Sequence, residues 1–158
     1  MEKPKRKQIR LEGYDYSQNN AYFITICSRK KQKLFWNTEN PNLTFEIEML
    51  PLSNIGLIIQ EAIGKIPVVY PNVEIDIFTI MPNHLHMILC ITENSGRAPT
   101  VSTIINQLKG AVTKQVGHSI WQKSFYDRII RSDKEYQHIR DYIYFNPANW
   151  IDDAKYGS

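Results

Sequence analysis

Two apolar, β-branched segments, Val73 to Met81 (VEIDIFTIM) and Leu85 to Ile91 (LHMILCI), stand on either side of Pro82-Asn83, and a connection that short makes them antiparallel neighbours. Any fold for this chain must contain that pair. Where the second segment begins, His84 and His86 are separated by Leu85, and alternate strand residues point the same way. With Leu85 in an apolar layer, both imidazoles project side by side from the other face, close enough to share one divalent cation. Two ligands do not make a site, so the rest of the chain must supply a third.

The remaining segments read as strands and helices in alternation. Ala21 to Ser28 (AYFITICS) has the composition of a buried strand and is followed by a basic turn, Arg29 to Lys33. Leu43 to Leu50 alternates apolar and charged residues, the pattern of a strand with one wet face. Ser53 caps a helix through about Ile66, whose Ile55, Ile58, Ile59, Ala62, Ile63 and Ile66 share one face, and Pro67 is expected to end it. Thr100 or Ser102 caps a second helix to about Val116, Phe125 to Arg131 fits a further strand, and Ser132 or Asp133 caps a last helix running through Tyr142 toward Asn146. Pro147 is expected to interrupt that helix. The order β, β, α, β, β, α, β, α predicts an antiparallel sheet with helices packed on it, in the α+β class.

At 158 residues with 42% hydrophobic content, the chain is sized for a single domain spanning 1–158. Lys3, Lys5, Arg6, Lys7 and Arg10 crowd its start, so residues 1–12 read as a flexible basic arm suited to a polyanion. Cys27 and Cys90 lie in apolar strand-like segments, where free cysteine behaves as a small buried hydrophobe rather than half of a disulfide framework. No stretch approaches the roughly 18 to 20 apolar residues of a membrane span. The expected location is the reducing cytoplasm.

The last helix carries Asp141-Tyr142-Ile143-Tyr144-Phe145-Asn146-Pro147, in which Tyr142 and Asn146 are four apart and share a helix face. Tyr144 lies about 200° around the helix from Tyr142, so both cannot face one site. If Tyr142 and Asn146 meet the histidines, the product is a metal centre of two imidazoles and an amide oxygen with a phenol beside it. That set suits Mg²⁺ or Mn²⁺, with Mn²⁺ better matched to imidazole. Such a centre suits phosphoryl transfer on a nucleic acid, with the cation stabilising charge on the phosphate while Tyr142 attacks phosphorus and a 3′-hydroxyl leaves. Two other readings stand beside it: a catalytically silent module binding hairpin or single-stranded nucleic acid on an RRM-like sheet, and a zinc hydrolase that would recruit Asp76 or Glu74 as a further ligand.

The pieces MPNHLHMIL (81–89), IINQLKGAVTK (104–114), WQKSFYDRIIR (121–131) and DYIYFNPANW (141–150) resemble the single-tyrosine HUH transposases of the insertion-sequence type, most closely the REP-associated tyrosine transposases. The resemblance covers Tyr22 to Trp150. It implies a ferredoxin-like or RRM-like sheet, with His84, His86 and Asn146 as metal ligands and Tyr142 as catalytic nucleophile. It further implies a metal-dependent endonuclease and strand transferase acting on single-stranded DNA at or near hairpins, through a 5′-phosphotyrosine. A homodimer or a monomer fits such a protein, the dimer being slightly favoured, and action of the tyrosine within its own chain or on a partner is open.

Lys109, Lys114, Lys123, Arg128, Arg131 and Arg140 flank these segments as candidate DNA contacts. His118 and His138 show no partner spacing and read as surface residues, and Trp121 and Phe125 read as core anchors.

Overall fold

The computed structural model describes residues 20–37, 50–92 and 99–152. The hairpin forms as expected: strand β2 (Val73–Ile80) pairs antiparallel with β3 (His84–Ile91). Before them come β1 (Asn20–Cys27), a 3₁₀ turn at Arg29–Lys31 and helix α1 (Asn54–Val69). After them come α2 (Val101–Val116), β4 (Tyr126–Ile129) and α3 (Asp133–Asp152). The sheet order is β2-β3-β1-β4, antiparallel throughout. Elements β1 to β4 with α1 and α2 thus follow the βαββαβ, ferredoxin-like scheme, and α3 is added after the last strand.

Alternation along the central strands sorts the helices to two faces. Ile24 and Ile26 of β1 and Leu85, Met87 and Leu89 of β3 point to one face, where they join Ile59 and Ile63 of α1 and Ile104, Ile105 and Leu108 of α2 in the larger core. On the other face Ala21, Ile88 and Cys90 meet Tyr136, Ile139 and Ile143 of α3. The spacing 136, 139, 143 is one helical stripe, so α3 lies on the sheet through a single apolar face. That seat carries Tyr142 and Asn146 to the histidine side of β3.

Helix caps follow the side-chain chemistry. Ser53 Oγ accepts from Gly56 N–H, Thr100 Oγ1 from Thr103 N–H and Ser132 Oγ from Glu135 N–H, each a short polar side chain satisfying an orphan donor of the first turn. Ser132 rather than Asp133 therefore starts α3.

Two expectations about proline need correction. Pro67 does not end α1, which runs on to Val69 and closes with Tyr70 N–H donating to Ile66 O at 2.8 Å. Pro147 does not end α3 either, which continues to Asp152. A proline costs the bond to the residue four before it, but Trp150, beyond Pro147, packs against Trp36 with ring centroids 6.5 Å apart, and that contact holds the following turn in place. The proposed strand at 43–50, apart from Leu50 itself, and the basic arm at 1–12 lie outside the described residues. Among the described residues no helix is long and apolar enough to cross a membrane.

Candidate active site

The β3 strand begins directly at His84, and its pleat brings the two imidazole rings to 4.7 Å between centroids. Leu85 between them is fully buried in the opposite core. Each ring is held through Nδ1. His86 Nδ1 lies 2.9 Å from Thr25 Oγ1, its cross-strand neighbour on β1. His84 Nδ1 lies 2.7 Å from Asn83 Oδ1, while Asn83 Nδ2 donates to Lys31 O at 3.3 Å. Because that second bond fixes which end of the amide is oxygen, His84 Nδ1 must be the donor, and its lone pair is on Nε2.

The third group arrives on α3. Asn146 stands beside His84 closely enough to draw its pKa upward against two stronger effects in the other direction. Burial first and the Lys31 charge second push His84 down to about 4, and burial with the His84 charge pushes His86 down to about 3. Both rings are therefore neutral at physiological pH, the form that ligates a metal. His86 Nε2 and Asn146 Oδ1 are buried polar atoms with no hydrogen-bond partner among the described residues. Buried polar atoms left without a partner are costly unless something binds them. The donor set of imidazole nitrogens and an amide oxygen fits a divalent cation such as Mn²⁺ or Mg²⁺.

Tyr142 completes the group. Its ring centroid is 5.3 Å from that of His86 and 6.3 Å from Phe23, which itself stacks on His86 at 5.3 Å. Tyr142 remains 47% exposed, so its ring meets both His86 and solvent. Tyr144 points elsewhere, into an apolar groove with Leu52, Ile77 and Ile143, as the helical angle requires. Tyr136 is buried in the smaller core.

The candidate DNA contacts separate into distinct settings. Lys114 and Lys123 are exposed around one concave pocket, and Lys109 there donates to the carbonyls of Gln122 and Lys123. Arg128 is paired with Glu135 at 2.5 Å, and the Arg131 backbone N–H bonds the same carboxylate. Arg140 is turned inward: its side chain is 11% exposed and its Nε lies 3.9 Å from Asp76 of β2, so it takes part in seating α3. A bulge at Asp76, where β2 shifts register between Ile75 and Ile77, brings that carboxylate to the α3 side. Asp76 is thereby engaged with Arg140, and among the described residues no group of three His, Cys, Asp or Glu side chains gathers, so the zinc hydrolase reading lacks its ligand.

Sequence reasoning passed over Thr25, Asn83, Phe23 and Trp150. Trp150 lies 6.3 Å from His84 and carries the Lys33 ammonium over its ring at 5.9 Å. Asn83 sits next to His84 in the chain, and a neighbouring amide was the available signal for an imidazole anchor. Thr25 becomes a partner only through strand register. His118 and His138 are exposed, and Trp121 and Phe125 join the core, as read.

No family model matches the chain. It is 33% identical over 174 aligned residues to an uncharacterized protein of Haemophilus influenzae, covering 96% of this chain and 93% of that one. It is 29% identical to the REP-associated tyrosine transposase of Escherichia coli, over 86% of this chain and 72% of the relative. The solved structure of a REP-associated tyrosine transposase bound to a REP hairpin superposes with a TM-score of 0.60 at 27% identity, over 82% of this chain and 67% of that chain. Sequence and fold likeness converge: the chain is similar in both to the REP-associated tyrosine transposases.

Proposed function

We propose that this protein is a metal-dependent single-stranded DNA endonuclease and strand transferase that cuts at or near DNA hairpins through a 5′-phosphotyrosine. The observation that carries the reading is the meeting of Tyr142, His84, His86 and Asn146, from two elements far apart in sequence, with His86 Nε2 and Asn146 Oδ1 left unpartnered among the described residues. The REP hairpin bound by the solved relative supports DNA as the partner. A Mn²⁺ or Mg²⁺ ion bound by His84 Nε2, His86 Nε2 and Asn146 Oδ1 would supply charge stabilisation for the phosphate oxygens.

The chain's own groups then divide the work. Asn83 fixes His84 in the tautomer that presents Nε2, and Thr25 holds the His86 ring in place through Nδ1. Tyr142 Oη attacks phosphorus and loses its proton to solvent, which its exposure permits. The bond from phosphorus to the 3′-oxygen breaks, and that oxygen takes a proton from water. The strand's 5′ end remains as a phosphodiester of Tyr142, so the bond energy is kept and the reverse attack by a 3′-hydroxyl rejoins DNA without ATP. Tyr126, 53% exposed on edge strand β4 and edge-on to Phe23 at 6.3 Å, offers an aromatic face to an unpaired base near the cut.

The test is incubation of purified protein with Mn²⁺ and a hairpin oligonucleotide carrying a single-stranded flank, read as a covalent adduct on a denaturing gel. An adduct is expected with Mn²⁺, none with EDTA, none with Tyr142→Phe, and none with His84→Ala combined with His86→Ala. An adduct that persists in Tyr142→Phe would sink the proposal. A silent binding module would instead hold the hairpin equally well with EDTA and form no adduct at all.

A further inference from the structure

Five cations surround a concave pocket of about 770 Å³ at the end of β1: Arg29 and Lys30 on the 3₁₀ turn, Lys109 and Lys114 on α2, and Lys123 before β4. None of the described residues that line it is acidic. Lys109 is occupied in tying α2 to the 122–123 carbonyls, and the other four are exposed, with no carboxylate paired to them among the described residues. Unneutralised like charges facing one cavity raise its potential and draw in an anion. Trp121 forms part of the floor, its Nε1 donating to Lys109 O at 3.1 Å.

The pocket is physically joined to the histidine site. Arg29 N–H donates to Ile120 O at 2.8 Å and Gln122 N–H to Cys27 O at 2.9 Å, stitching the turn to the pocket wall. On its other side Ser28 N–H donates to Asn83 O at 2.9 Å, and Asn83, which orients His84, reaches back to Lys31 O. Lys31 depresses the pKa of His84, and Lys33 sits over Trp150, so the far half of the same basic turn faces the metal ligands. Lys30 and Lys31 both hold φ of 55°, the left-handed region that disfavours a side-chain-bearing residue. The turn adopts that strained backbone with Arg29 and Lys30 at the pocket and Lys31 near His84.

We infer that the Arg29, Lys30, Lys114 and Lys123 pocket is a phosphate-binding track for the single strand flanking the scissile bond, with the Arg29–Lys31 turn as its bridge to the His84–Tyr142 site. The inference rests on the nucleic-acid reading above. It assigns strand binding to residues on the β1 side of the site, in place of Arg128 and Arg140, whose charges are engaged by Glu135 and Asp76.

The experiment measures binding of fluorescein-labelled oligothymidylate by anisotropy across a salt series, in EDTA, so that no cleavage contributes. The protein carrying Lys30→Gln, Lys114→Gln and Lys123→Gln together should keep the wild-type melting temperature, since all three side chains are exposed. Its slope of log affinity against log salt should be shallower by about 2, near 0.7 for each phosphate that is no longer neutralised. Lys65→Gln, on α1 outside the pocket, should leave the slope unchanged. A wild-type slope in the triple variant, an equal fall in Lys65→Gln, or no salt-dependent binding by the native protein would each overturn the track. Inorganic phosphate at matched ionic strength should not displace the strand; displacement would make this a small-anion pocket and also overturn it. Failure to form a covalent adduct with Mn²⁺, with the slope change intact, would remove the cleavage reading and leave the track standing.

Discussion

Each imidazole of the pair is tied through Nδ1, to Thr25 or to Asn83, and each is buried enough to be neutral well below pH 7. Free histidine titrates near 6.5, whereas His84 is pushed down to about 4 and His86 to about 3, so over that interval the unfolded chain binds more protons than the folded one. Stability of the metal-free protein should therefore be intact above about pH 6.5 and fall as pH is lowered toward 4. Urea unfolding midpoints across that range measure it, and His84→Gln should flatten the fall; a flat profile in the native protein would contradict the burial argument. The metal-ligand candidates were legible here because period-two and period-four spacing are local rules, visible in HLH and in Y-x-x-x-N. Thr25 was not, because its place beside His86 depends on how β1 registers against β3, sixty-one residues away.

Helix α1 starts where the chain can barely pass. A Cβ on Gly56 would stand 2.2 Å from Phe35 O, a backbone atom that also accepts the Ser53 N–H and cannot move freely. Gly56→Ala should thus cost about 1 to 3 kcal/mol by overpacking, read from thermal or urea unfolding. A neutral result would mean that the approach of α1 to the 35–36 segment is looser than described. Helix α3 depends on a different contact, the inward pair of Arg140 and Asp76. Arg140→Ala takes the guanidinium away from a buried carboxylate and should lower stability by about 3 kcal/mol, with Tyr142 adduct formation reduced because the helix that carries it is loosened. Weakened hairpin binding in that variant with unchanged stability would instead make Arg140 a DNA contact. Helix starts were readable from Ser53, Thr100 and Ser132, since capping is local. Helix ends at Pro67 and Pro147 were misread because tertiary packing, through Trp150 in one case, outweighed a single missing hydrogen bond.

At the scale of the molecule, the α+β sheet followed from the hairpin and the alternation of segments, and the βαββαβ order bore out the ferredoxin-like expectation. What spacing alone could not supply was the side of the sheet on which the last helix lands. That is settled by the stripe of Tyr136, Ile139 and Ile143 against Ala21, Ile88 and Cys90, the face that also bears His84 and His86. The same arrangement leaves Tyr142 at the histidines and turns Tyr144 into the groove beside β2, so the two tyrosines make a built-in comparison. The most direct measurement is tandem mass spectrometry of the tryptic peptide spanning 141–155 after reaction of the protein with Mn²⁺ and a hairpin oligonucleotide followed by nuclease digestion. The account predicts a nucleotide phosphate on Tyr142 and an unmodified Tyr144; a phosphate on Tyr144, or on neither residue, would contradict it.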